Sequence, residues 1–261
     1  MKVLVSVFSN LYTDQRVEKV CRTLHENGYL VELIGNSWGG LPSLERPYSV
    51  TRLPLASKIL KLAYPEFNLK LYRQLLKQAD KQTILFANDL DTLWPNYLVS
   101  KKLGIPLVYD SHEIYTEMPS LQNRVTQKIW RALEERVLPR IKYMLTANSS
   151  YAAWFEEKYQ LKNIVVLHNY PRHQIKTLHE SQNQPKIILY QGVINPSRGL
   201  DKIIAAMHLF DNAVLWIVGN GPKKAEYKAL TKNLGLEDKV KFFEAVSPEE
   251  LRKITICADV G

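Results

Sequence analysis

Residues 109 to 117 read YDSHEIYTE and gather Asp110, His112, Glu113 and Glu117 directly behind a short apolar run. A histidine among carboxylates at that density suits proton transfer near neutral pH or hydrogen bonding to the hydroxyls of a sugar. A purely local reading stands beside it, in which Asp110 and Glu113 cap the next helix or bond loop amides. Other polar groups recur in the same position relative to apolar runs: Asn10, Asp14 and Arg16 behind the first, Asn88, Asp89 and Asp91 behind another, His168 and Asn169 behind a later one. Asp89, Asp91, Asp110 and His112 together have the donor atoms for a metal. No H-x-x-x-H or C-x-x-C spacing accompanies them, so a metal is not expected.

A second set of residues suits phosphate. Residues 190 to 203, YQGVINPSRGLDKI, place Gly192, Asn195, Arg198 and Gly199 between an apolar run and a helical pattern. Backbone amides at a helix start and a guanidinium both favour the oxygens of a diphosphate. Residues 218 to 222, VGNGP, form another glycine turn with Gly219, Asn220 and Gly221, against which a nucleoside could lie. Neither turn is G-x-G-x-x-G, and the first turn of the chain, SNLYTDQR, has no glycine at all. This disfavours a nicotinamide-dependent dehydrogenase.

These residues need a scaffold that brings them to one edge, and the hydrophobic pattern supplies it. Apolar strands at about 3–7, 31–34, 83–87, 107–110, 144–147 and 164–167 alternate with helical patterns at about 14–27, 92–103, 123–138 and 151–159. Thr13 or Asp14 can cap the first helix, and Gly28 follows it. After Asn169 and Pro171 the chain becomes polar and loses its periodicity, and a second alternating series then runs from Ile187 to the end. Its last helix, from Pro248, is announced by Ser247 with Glu250 three residues on, a capping box. Strands alternating with helices predict an α/β fold with parallel sheets covered on both faces. In such sheets ligands collect beyond the carboxyl ends of the strands, where the polar residues above lie. The expected organisation is a Rossmann-like domain over 1–171, a linker over 172–185 and a second, incomplete doubly wound domain over 186–261.

The 261 residues are 46% hydrophobic and 23% charged, an ordinary globular mixture that excludes disorder, collagen and coiled coil. No apolar run approaches the roughly 18 residues of a membrane span, and no leader with a cleavage site is apparent, so a cytoplasmic protein is expected. Cys21 and Cys257 both fall in apolar segments and read as buried thiols in a reducing compartment. The net charge of +9 favours an anionic partner. Nucleic acid is disfavoured, because there is no helix-turn-helix or zinc pattern and the aromatics form no stacking platform. Much of the excess lies between Arg52 and Lys81, where Leu, Ile, Tyr and Phe are interleaved with lysines. That segment suits a helix lying on an anionic membrane surface, or else two ordinary helices broken near Pro65.

Taken in order, DQRVEKVCRTLHENGYLVELIG, NDLDTL, KKLGIPLVYDSHEIYTE, TANSSYAAWF, VVLHNYP, YQGVINPSRGLDKII, LWIVGNGP and VKFFEAVSPEEL resemble bacterial glycosyltransferases of family 4 over nearly the whole chain. The resemblance implies a GT-B architecture, two Rossmann-like domains facing one another across a cleft. It also implies metal-free transfer of a sugar from a nucleotide donor to a glycan or lipid-linked acceptor, with retention of configuration. His112, with Glu113 beside it, matches the family's cleft histidine, and Arg198 matches the basic residue that holds the donor diphosphate. By the same similarity Gly192 and Asn195 line the phosphates, Gly219, Asn220 and Gly221 with Glu244 and Val246 border the nucleoside, and Asp14, Arg16, Asp89, Asp91 and Asp110 face the acceptor. The chain departs from the pattern in two places. Val193 stands where many members have an arginine, and the family's paired-glutamate motif, expected shortly after CADVG, is absent, so the chain reads as truncated in its donor domain. Surface-glycan assembly at the inner face of a bacterial membrane is the implied setting. A GT-B nucleotide-sugar epimerase and a non-catalytic binding module are the alternatives.

Overall fold

A computed structural model describes residues 1–12, 14–39, 43–119, 121–170 and 183–261, apart from the Pro248 side chain. Thr13, as an alternative cap, and most of the expected linker lie outside the described residues. The chain divides into two compact units, Met1–Arg172 and His173–Gly261.

Unit 1 contains β1 (Lys2–Ser6), α1 (Gln15–Glu26), β2 (Leu30–Asn36), β3 (Ser49–Leu53), α2 (Leu60–Gln78), β4 (Thr83–Asn88), α3 (Leu90–Leu103), β5 (Leu107–Ser111), α4 (Val125–Val137), β6 (Tyr143–Thr146), α5 (Ser149–Tyr159) and β7 (Val165–Val166). Its seven strands are all parallel, in the order β3-β2-β1-β4-β5-β6-β7. Because strand side chains alternate between faces, β1 sends Leu4 to one core and Val3 and Val5 to the other. Leu4 joins Leu85, Tyr109, Phe67 and Leu71 on the first face, while Val3 and Val5 meet Val17, Cys21, Val31 and Leu33 of α1 and β2 on the second. Both faces are therefore buried, which is why the strands read as nearly unbroken apolar runs.

α1 starts where Asp14 accepts a hydrogen bond from the Val17 amide at 3.2 Å, as a side-chain cap does. α2 corrects the expectation of a break near Pro65: the helix runs through the proline, which forfeits one backbone donor. Its stripe of Ala63, Phe67, Leu71 and Leu75, spaced by four, is fully buried. Each large side chain contributes about 1.5–3 kcal/mol, which outweighs the lost hydrogen bond. β3 was not expected from the sequence. It is an edge strand of five residues, SVTRL, whose polar members break the apolar signal.

Unit 2 contains β8 (Lys186–Gln191), α6 (Leu200–Ala206), β9 (Ala213–Val218), α7 (Lys224–Asn233), β10 (Val240–Phe243) and α8 (Pro248–Cys257). Its strands are parallel in the order β10-β9-β8, and Ile188 makes a further parallel bridge to Val260. Ser247 caps α8 by accepting from the Glu250 amide at 3.3 Å, the N-cap bond of the capping box read from the sequence. Cys21 is buried, but Cys257 is exposed at the end of α8, which corrects the reading of two buried thiols.

Candidate functional site

In unit 1 the strand order reverses at β1, which has β2 on one side and β4 on the other. A crevice opens at such a switch point because the connections on either side leave in opposite directions. Two buried asparagines join the strands there. Asn88, at the end of β4, donates to the Ser6 carbonyl at 3.0 Å, and Asn96 of α3 donates to Ser6 Oγ at 2.7 Å. The residues beyond these strand ends are the charged ones singled out by the sequence.

The structure brings four of them into one network. Arg16, at the start of α1, donates through Nε and Nη2 to both oxygens of Asp110 at 3.2 and 2.7 Å, and through Nη1 to the Leu167 carbonyl at 2.6 Å. Asp110 is fully buried and Arg16 is 7% exposed, so the pair is a bidentate ion pair in the interior. His112 Nδ1 lies 3.1 Å from Asp89, and Nε2 lies 3.4 Å from Asp110, an ion-pair distance without the alignment of a hydrogen bond. The His112 amide also donates to Asp89 at 2.9 Å. To make these contacts Asp89 adopts φ +59°, a conformation that costs a non-glycine residue about 1–3 kcal/mol.

These contacts set the protonation states. Burial works to lower the His112 pKa, but Asp110 and Asp89 outweigh it and hold the imidazolium up to about 10. Burial likewise opposes the Asp110 carboxylate, yet His112 and Arg16 keep it below its ordinary value. The two carboxylates thus favour the imidazolium form of His112, with Nδ1 turned to Asp89 and Nε2 to Asp110. Asp91 is at the other extreme. Burial, reinforced by Asp89, raises it well above the carboxylate range, and its Oδ1 has no hydrogen-bond partner. Burial raises Asp14 as well, despite the Val17 amide it caps.

A cavity of about 430 Å³ opens over this network, lined by Asp14, Gln15, Arg16, His112, Ala147 and Asn169. Glu113 is exposed and lies outside that lining. The local alternative is not realised for Asp110, which pairs with Arg16 rather than capping a helix. The segment after His112 is clamped from above. Tyr115 donates to the Tyr64 hydroxyl at 3.1 Å, Thr116 donates to the buried Glu134 at 3.0 Å, and Gln127 donates to the Thr116 carbonyl at 2.7 Å. Among the described residues no group of three or more His, Cys, Asp or Glu side chains is placed to hold a metal.

In unit 2 the two glycine turns lie against each other. A Cβ on Gly219, which has φ +147°, would come 2.0 Å from the Gly192 carbonyl oxygen, and one on Gly221 would come 2.4 Å from that of Ile194. The second turn is therefore glycine because the first loop occupies the space, independently of any ligand. Gly192 is different: with φ +144°, a Cβ there would meet only the Tyr190 hydroxyl at 3.8 Å. Near it Asn195 is half-buried, while Arg198 is exposed and makes no hydrogen bond or ion pair among the described residues. Asn220 and Glu244 are joined by a residue the sequence reading passed over. Lys224 donates at 2.8 Å to Asn220 Oδ1, at 2.9 Å to the Phe243 carbonyl and at 2.8 Å to Glu244 Oε1. Val246 is half-buried just beyond. Gln15 and Ala147 were also missed, since neither residue type nor spacing marks a lining position.

Comparison with known proteins covers both units. The family model described as Glycosyltransferase Family 4 matches residues 14–170, and the one described as Glycosyl transferases group 1 matches residues 157–260. The lipopolysaccharide core biosynthesis glycosyltransferase LpsD of Rhizobium meliloti (strain 1021) is 34% identical over 56 residues, which are 22% of this chain and 16% of that relative's length. Among solved structures, sucrose-phosphate synthase from Thermosynechococcus elongatus superposes with a TM-score of 0.76 at 15% identity, over 99% of this chain and 74% of its own. WaaG, a glycosyltransferase involved in lipopolysaccharide biosynthesis, gives 0.65 at 16% identity, over 99% and 73%. HepE from Anabaena in complex with UDP-glucose gives 0.67 at 16% identity, over 99% and 72%. At these identities the structures establish a shared GT-B fold.

Proposed function

The chain belongs to Glycosyltransferase Family 4, and on that premise we propose that it transfers a sugar from a nucleotide-diphosphate donor to a glycan or lipid-linked acceptor, with retention of configuration and without a metal. Unit 1 is the acceptor side and unit 2 the donor side. The observation that carries this reading is Arg198, an exposed guanidinium without a partner among the described residues, on the loop where Gly192 leaves space beside the backbone. A diphosphate would take the donors that the protein leaves unused, and Arg198 would offset the charge that grows on the leaving group as the glycosidic bond breaks. Gly219, Asn220, Gly221, Glu244 and Val246 would border the nucleoside, with Lys224 holding the last turns in register. The binding of UDP and UDP-glucose by HepE supports a nucleotide-sugar donor.

On the acceptor side, Asp14, Arg16, Asp89, Asp91 and Asp110 surround His112, which acts as a fixed positive group rather than as a base. Glu113, outside the cavity lining, is left with no direct part in this mechanism. The setting we propose is assembly of a surface glycan at the inner face of a bacterial membrane. α2 supports surface attachment: while one stripe is buried, Ile59, Leu60, Leu62 and Leu69 are exposed near Lys58 and Lys61. No helix of the described residues is long and apolar enough to cross a membrane.

The first test is thermal stability with UDP, GDP, ADP, CMP and dTDP in turn. A ligand that binds only the folded protein adds about 2.7 kcal/mol at a hundredfold excess over its Kd, so one nucleotide is expected to raise the melting temperature. Absence of a rise with all of them would refute the donor reading. Release of an epimerised nucleotide sugar without an acceptor would replace transfer with epimerisation. Cosedimentation with anionic liposomes at low salt, lost at high salt, tests the membrane part.

A further inference from the structure

The cavity of unit 1 has three positive features: the amino end of α1, the Arg16 guanidinium and the His112 imidazolium. Each is already matched to a carboxylate of the protein. Asp14 receives the Val17 amide and occupies the place at the helix start where a ligand's anion would otherwise go. Arg16 directs two nitrogens to Asp110 and the third to Leu167, so its charge is already paired and only the second N–H of each Nη is left over. His112 faces Asp89 and Asp110. Lys19, a further cation of α1, donates to Asn169 Oδ1 at 2.9 Å and to the Tyr170 carbonyl at 2.7 Å. Asp91 adds a further buried carboxyl beneath. The remaining lining is Gln15, Ala147 and Asn169, two amides and a methyl. Among the described residues an entering anion would thus meet Asp14 with no cation that lacks a protein partner to offset it, whereas a hydroxyl or ammonium group would find carboxylate and amide oxygens to donate to.

We infer that this cavity takes an uncharged or cationic hydroxyl-rich sugar end and turns away one bearing phosphate or carboxylate, with Asp14 as the residue that sets the choice. The inference rests on the acceptor reading of unit 1 and adds to it the charge class of the acceptor. It runs against the chain's net charge of +9, which would by itself favour anions.

The test uses the whole chain and the imidazole nitrogen signals of His112, assigned by their loss in His112→Gln. Glucose, galactose and mannose are titrated alongside their 6-phosphates and 2-amino analogues. Neutral and amino forms are expected to move the His112 signals, with the phosphates weaker by about tenfold or more, because like charges in a cleft are strongly disfavoured. Asp14→Asn retains the helix cap, since asparagine caps as well as aspartate, and is expected to narrow that gap by about tenfold. Asp14→Ser, which also caps, is a second variant should the first fold poorly. Phosphate forms that match their neutral parents in the natural protein, or a gap that survives both substitutions, would overturn the inference alone. Silence of His112 toward every sugar would remove the acceptor reading of the cavity together with the inference built on it.

Discussion

The charged groups of the two units are disposed in opposite ways. In unit 1, Arg16 and His112 are buried or half-buried, Arg16 paired with Asp110 and His112 with Asp89 and Asp110, so their charges are matched without a ligand. In unit 2, Arg198 is exposed on a loop and faces no partner among the described residues. A charge-matched network rigidifies and orients, while an unpaired cation recruits. One unit therefore holds a site whose charges mainly support structure, and the other carries a loop whose charge is available for binding.

Substitutions separate the two most sharply. Arg16→Ala leaves Asp110 buried without its bidentate partner, and a loss of about 3–5 kcal/mol is expected in urea unfolding, as for other broken buried pairs. A loss below about 1 kcal/mol would show that water reaches Asp110 and that unit 1 is less closed than described. The next effect is on pH dependence. The His112 pKa is raised from 6.5 to about 10 on folding, so its contribution is complete below pH 6.5 and is lost as pH rises through 10. Stability should fall by a few kcal/mol across that window, and His112→Gln should flatten the fall.

Smaller and confined to unit 2 is Gly219→Ala, whose Cβ would overlap the Gly192 carbonyl oxygen. A cost of about 1–3 kcal/mol is expected. Hydrogen exchange should show faster opening of β8 and β9 while β1 and β4 keep their protection. The smallest effect on stability belongs to Arg198→Ala, within about 0.5 kcal/mol as for an exposed unpaired side chain. Its effect on nucleoside diphosphate binding should nonetheless be about tenfold or more, the worth of a charge-assisted hydrogen bond. Equal nucleotide affinity in this variant and the natural protein would erase the contrast between the units.

Much of this was legible in the sequence, and the limit has a physical origin. Buried parallel strands must be apolar, so the runs ending near Ser6, Asn88 and Asp110 stand out, and the polar residues behind them identify themselves. α1 is legible for the same reason, since Val17 and Cys21 repeat at helical spacing behind a capping Asp14. Pairing between distant residues is not legible. Arg16 and Asp110 are 94 positions apart, and nothing local to either states that they meet. Lys224 reads as one of many surface lysines until three acceptors from different elements converge on it. β3 escaped because an edge strand needs no continuous apolar run, and α2 because the burial of its stripe outweighs the penalty of Pro65. Gly219 was visible as a turn residue, whereas the reason for it, the Gly192 carbonyl, lies in another loop.

The grip of Arg16 on the Leu167 carbonyl gives the network a mechanical side. One guanidinium anchors both the carboxylate beneath the cavity and the end of β7, the last strand of unit 1, so the two share a single fastening. Acid strong enough to protonate Asp110 releases two of its three points of attachment, and the backbone at Leu167 is then held by the third alone. Arg16 thus works as a rivet through two plates, and a force that lifts the end of β7 is felt first at the carboxylate under the cavity.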